Sequence, residues 1–228
     1  MRLAADAVPE PLRAKTIRNL AFYHLTRSDF RRARRGLEEA LAIELPLGDH
    51  LRIGNLRNDL GILANYEGRF PDAVVSYARG LELRRAAGNA WGIASSLGNL
   101  GEAYHRLGDN DRARRFLGES LAAFVELDDL RSVAESLEMS MSLEITAARY
   151  ECAARLAGSA AGLRERMSFP KPDAELRPFT HELESARASL GEDRWKALDE
   201  EGRAATLDQA VEWALSPPPA ASDSLGSE

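Results

Sequence analysis

Apolar side chains recur at helical spacing through most of the chain. Leu97, Leu100, Gly101, Tyr104 and Leu107 form an i, i+3, i+4, i+7 stripe. After Gly108-Asp109 the stripe resumes with Ala113, Phe116, Leu117, Ser120, Leu121 and Phe124. Gly108 suits a helix C′ position that needs positive φ, and Asp109 can cap the helix that follows. The pattern predicts two antiparallel helices of about 16–18 residues joined by a short turn.

This unit repeats. Turns at Ser28-Asp29-Phe30, Gly68-Arg69-Phe70, Gly108-Asp109-Asn110 and Ala148-Arg149-Tyr150 stand forty residues apart. Each is followed at a fixed offset by an alanine: Ala33, Ala73, Ala113 and Ala153. Leu20, Leu60 and Leu100 share a column, and Ala21, Gly61 and Gly101 share the next. A further column runs Gly48, Gly88, Asp128, then Asp49, Asn89, Asp129. Glycine inside a helix costs roughly 0.5–1 kcal/mol, so its recurrence at 61 and 101 predicts close helix–helix approach there. A period of this length is the signature of a solenoid.

Leu100-Gly101 followed by Tyr104, Gly108, Ala113 and Leu117 resembles the tetratricopeptide repeat. Units two and three fit best; unit one has Ser28 at the turn glycine. Unit four departs most, with Ser140-Met141 for Leu-Gly and Glu144 for Tyr. The forty-residue step exceeds the usual thirty-four, a form similar to repeats in bacterial LuxR- and MalT-like ATP-dependent transcriptional regulators and related signal-transduction ATPases. Ala153 to Ala161 resembles the helix that closes the repeat array in those regulators, and Leu190 to Trp195 and Glu201 to Ala204 resemble their terminal segment.

The resemblance implies an all-α fold: a right-handed superhelix of about four TPR-like helix-turn-helix repeats with a helical C-terminal cap. The expected organisation is an N-terminal extension over 1–12 and a repeat array over 13–169. Its units are placed at about 14–53, 54–93, 94–133 and 134–169, followed by a cap over 170–216 and a disordered tail over 217–228. Cap helices are predicted near 175–190, 192–203 and 207–215, the last opened by the capping box Thr206-x-x-Gln209. Pro178 should delay or kink the first of them.

Composition narrows the function. Thirty Lys plus Arg against thirty-six Asp plus Glu give a net charge of −6, so a bulk basic footprint for nucleic acid is absent. No apolar run reaches the roughly 18–20 residues of a membrane span, and no secretory pattern opens the chain. The expectation is a cytoplasmic protein. A lone cysteine, Cys152, excludes an internal disulfide framework. His24, His50, His105 and His181 do not fall in metal-ligand spacing, so no metal is expected. No GxxxxGK[ST], GxGxxG, GxSxG or HExxH motif occurs, and neither a cofactor nor catalysis is expected. Arginine runs at 31–35, 84–85 and 112–115 read as solvated outward faces of second helices.

In tetratricopeptide repeats the first helices line the concave binding groove. With Ala33, Ala73, Ala113 and Ala153 as the twentieth position of each unit, the groove columns can be assigned. They fall on Lys15, Arg18, Phe22 and Leu25, then on Asn55, Asn58, Ile62, Asn65 and Tyr66. Units three and four add Ser95, Glu102, His105, Arg106, Glu135, Glu138 and Ser142. Phe22 stands where a carboxylate-clamp asparagine belongs, so the clamp of chaperone-binding relatives is not carried over.

The function implied is non-catalytic: a protein-interaction or signal-sensing module, forming the effector- or partner-binding C-terminal region of a bacterial regulator. An upstream ATPase or DNA-binding domain is the implied partner. The alternatives are a stand-alone scaffold binding a peptide, or a receptor for a small-molecule effector, in the same groove. Phe22 and Leu25 on the first helix are expected either to dock a partner or second copy, or to be covered by the segment 3–8.

Overall fold

The computed structural model describes residues 9–169 and 173–215, and within them the protein is entirely helical. The helices are α1 (Glu10–Thr26), α2 (Phe30–Leu47), α3 (His50–Tyr66), α4 (Phe70–Ala86), α5 (Ala90–Arg106) and α6 (Asn110–Glu126). They continue as α7 (Leu130–Thr146), α8 (Tyr150–Arg166), α9 (Asp173–Leu190), α10 (Glu192–Ala204) and α11 (Leu207–Leu215). The chain forms two compact units, residues 1–132 and 133–228.

The local chemistry of the turns sets the period. From α1 to α8 each helix begins twenty residues after the last. Each is ended by a left-handed residue: Ser28, Gly48, Gly68, Gly88, Gly108, Asp128, Ala148 and Ser168, with φ between 53 and 79°. At the turn after α3, Gly68 N–H donates to the Asn65 carbonyl at 3.0 Å and Arg69 N–H to the Ala64 carbonyl at 2.9 Å. This is the Schellman pattern, which satisfies carbonyls that the helix end would otherwise orphan. The residue after the left-handed one then caps the next helix. Asp29, Asp49, Asn89, Asp109 and Asp129 accept from the backbone N–H three residues on, at 2.8–3.1 Å. Arg69 and Arg149 occupy the same column without a side-chain cap.

In residues 9–132 the core is built from repeated columns. Ala33, Ala73 and Ala113 are wholly buried, and so is Ala153 in the second unit. A Cβ added at Gly61 would lie 2.5 Å from the Tyr77 ring, and one at Gly101 would lie 2.6 Å from Leu117. The mid-helix glycines thus admit a large side chain from the paired helix. In the first repeat the roles reverse: Ala21 carries the Cβ and Gly36 yields, with an added Cβ 2.9 Å away. Leu20, Leu60 and Leu100 diverge: the first is exposed, the second half-buried and the last buried.

In residues 133–228, α8 packs against α10, and α11 rests on α8. Trp195 and Leu198 of α10 are buried. Thr206 and Gln209 form the expected reciprocal capping box, at 2.9 and 3.3 Å. Helix α9 starts at Asp173 and runs through Pro178, so the delayed start expected there does not occur. Residues 1–8, 170–172 and 216–228, with the expected covering segment 3–8 and the expected disordered tail, lie outside the described residues.

Candidate partner-binding face

The first helices of the first unit, α1, α3 and α5, carry most of the expected groove positions, and the structure sorts them into three kinds. Some are open. Lys15 is exposed, Phe22 is 52% exposed and Tyr66 is 67% exposed. Ile62, Ser95, Glu102 and His105 are half-buried, and Arg106 is exposed. Asn65 donates to Glu102 at 3.2 Å, which fixes two polar groups side by side on α3 and α5.

Other positions hold the helices together. Arg18 makes a bidentate contact with buried Asp59, which holds the guanidinium above its ordinary pKa. Asn55 and Asn58 accept from Arg84 of α4 at 3.0–3.2 Å, and Arg84 also reaches the Ser96 hydroxyl and the Gly92 carbonyl. Asn99 donates to Asn58 at 3.0 Å. Burial pushes Arg84 down to about 10, which still leaves it charged at neutral pH.

Leu25 corrects the expectation. It is buried in the core cluster with Ala21, Leu37 and Leu41, and contributes nothing to an accessible groove. The α1 turn that carries Phe22 outward rotates Leu25, three residues on, toward α2. Arg84 corrects the reading of the 84–85 run as a solvated face, since only Arg85 is exposed.

In the second unit, Glu138 of α7 receives both Nε and Nη2 of Arg164 at 2.8 and 3.3 Å. Glu135 is exposed, and buried Ser142 donates to Glu182 at 3.2 Å. Cys152 donates through Sγ to the Trp213 carbonyl at 3.4 Å.

One repeat column explains the bonded groove positions. Glu44, Arg84, Phe124 and Arg164 stand forty residues apart, and all four are buried. Twenty-six residues before each are Arg18, Asn58, Gly98 and Glu138. The two columns complement each other: Arg with Glu, Asn with Arg, Gly with Phe, Glu with Arg. The second and fourth pairs are direct bonds; Arg18 and Glu44 instead use Asp59 and Arg52. Arg18, Glu44, Arg52 and Lys15 line a cleft of about 290 Å³ beside α1. Charged residues in a forty-residue column that holds Phe124 in the third repeat are the sequence signal for these partners.

Among the described residues no three His, Cys, Asp or Glu side chains converge as metal ligands, and no helix is long and apolar enough to cross a membrane.

Residues 12–86 and 93–127 match tetratricopeptide repeat family models. No curated protein sequence matches the chain. BtubC (BKLC) from P. vanneervenii is 22% identical, with a TM-score of 0.69 over 96% of this chain and 88% of that one. The nearly identical TPR-like kinesin light chain repeats from Podosopora anserina give 0.64 at 16% identity, over 90% and 97% of the two chains. A Signal Transduction ATPase with Numerous Domains from Pyrococcus horikoshii, which has a tetratricopeptide repeat sensor, gives 0.56 at 15% identity. It is covered over 38% of its length, by 90% of this chain. At these identities the likenesses establish the fold. Residues 12–86 and 93–127 are tetratricopeptide repeats, the architecture of a protein-interaction module.

Proposed function

We propose that the face formed by α1, α3 and α5 receives a protein partner, and that the chain serves as the effector- or partner-binding region of a bacterial regulator of the ATP-dependent transcriptional type. The observation that carries the first part is the concentration of exposed large apolar side chains on these first helices: Phe22 and Tyr66 among the expected groove positions, with Leu20, Tyr23 and Trp91 exposed on the same helices. Large exposed aromatics are the side chains that interfaces exploit as anchors. The Pyrococcus horikoshii ATPase supports the second part, because there a similar helical array is the sensor of a much longer chain.

The second reading is a stand-alone scaffold that binds a peptide on the same face. One experiment tests both. A photo-crosslinking phenylalanine analogue is placed at Phe22, Tyr66 and, as a control, exposed Val75 of α4, and adducts formed in producing cells are identified. The proposal predicts one protein captured at 22 and 66 and not at 75. A P-loop ATPase as that protein supports the regulator, and another partner supports the scaffold. Equal capture at all three positions, or none, contradicts the assignment of the face.

A further inference from the structure

The second unit contains a cavity of about 370 Å³ that the partner-binding reading does not use. Its cause is an asymmetry in α8. One side of the helix carries Gly158 and approaches α10 so closely that an added Cβ would lie 2.0 Å from the Asp199 carbonyl. Gly202 on α10 returns the fit, its Cβ position falling 2.1 Å from the Arg155 carbonyl. The adjacent side presents Ala157, Ala160, Ala161 and Arg164, at i, i+3, i+4 and i+7. Three alanines in succession on that side leave the space toward Met141 and Leu183 unfilled.

The polar groups around this apolar floor are not equivalent. Arg164 is spent on Glu138, at 2.8 and 3.3 Å. Arg203 is shared between Asp199, at 2.7 Å, and Glu165. Arg187 lines the same cavity and lies over the Trp195 ring at 5.5 Å, with no carboxylate bound to it among the described residues. Every acid of the lining therefore already has an arginine, and one arginine retains its donor edge. A guanidinium braced on an indole is pre-oriented to take a planar anion in two parallel hydrogen bonds.

We propose that this cavity binds an amphipathic monocarboxylate, its alkyl chain against Ala157, Ala161 and Met141 and its head group on Arg187. The volume sets the size: at about 30 Å³ per water-sized group it admits roughly a dozen non-hydrogen atoms, the size of a ten-carbon carboxylate. Apolar pockets with few fixed polar groups are the usual form of small-molecule sites. The site lies wholly within residues 133–228, so it does not depend on what α1, α3 and α5 bind.

The test uses sodium decanoate, decan-1-ol and decylamine, titrated calorimetrically into the full chain with tryptophan emission followed in parallel. Decanoate should bind saturably with a submillimolar Kd and at least tenfold more tightly than the alcohol, and decylamine should bind most weakly. Arg187→Gln should bring decanoate to the affinity of the alcohol and leave alcohol binding unchanged. Ala161→Phe, which fills the cavity, should abolish both without lowering Tm; Ala157→Leu serves the same purpose if that variant does not fold. Absence of saturable decanoate binding, unchanged preference in Arg187→Gln, or unchanged affinity in a folded cavity-filled variant would each overturn the proposal.

Discussion

Ala148 shows how much one backbone position can cost. It adopts φ 56° at a turn where four other repeats of the pattern place glycine. A Cβ in the left-handed region costs roughly 1–2 kcal/mol. Glycine avoids that cost and gives back about 0.5–1 kcal/mol through the greater freedom of the unfolded chain. Ala148→Gly should therefore stabilise the protein by about 0.5–1 kcal/mol, read as a higher urea midpoint at unchanged slope. An unchanged or lower midpoint would contradict the Schellman assignment at that turn. Asp129 offers a second single-residue test. Burial pushes its carboxyl up, but hydrogen bonds from Ser132, Trp91 and the Arg131 backbone outweigh that and hold it below the ordinary carboxylate range. A depressed folded-state pKa stabilises above the unfolded value, about 3.9, and that contribution is lost as pH falls through the lower folded one. The stability difference between wild type and Asp129→Asn should thus be largest near neutrality and shrink below about pH 4. A difference independent of pH would mean that the carboxylate charge plays no part in capping α7.

At the scale of elements, close approach comes in two grades. Gly101 faces the Leu117 side chain, which can shift, so Gly101→Leu should cost about 1–3 kcal/mol. Gly158 faces the backbone of α10, which cannot. Gly158→Ala adds a single carbon yet should cost about 3 kcal/mol or more and loosen α10, detectable as faster amide exchange over residues 192–204. If Gly158→Ala proved milder than Gly101→Leu, the tight α8–α10 contact would be wrong. The turns are legible in the sequence because local chemistry sets them: a left-handed residue, followed at five of them by an Asp or Asn cap. The partners of Arg84 and Arg164 are less legible, since an arginine in a second helix that bonds across to a first helix has the same composition as a wet surface. Only comparison across repeats, with Glu44 and Phe124 in the same column, separates a buried charge from an exposed one. Leu25 departs from its groove column for a related reason. A repeat template fixes the column but not how far each helix rotates about its axis, and that rotation puts Phe22 outside and Leu25 in the core.

For the molecule as a whole, the repeat architecture and the exposed aromatics of its first helices belong to one account: the Arg18–Asp59 ion pair, the Arg84 hydrogen bonds and glycine contacts hold α1, α3 and α5 while Phe22 and Tyr66 stay outside. The most direct test is the affinity of the partner captured at those positions for three purified variants and the wild-type chain. Phe22→Ser with Tyr66→Ser should weaken binding at least tenfold, about 1.4 kcal/mol, while helical content and Tm stay at wild-type values. Val75→Ser on α4 and Leu45→Ser on α2 should bind as wild type does. Wild-type affinity in the double variant, or an equal loss in Val75→Ser, would contradict the claim that this face is where the partner binds.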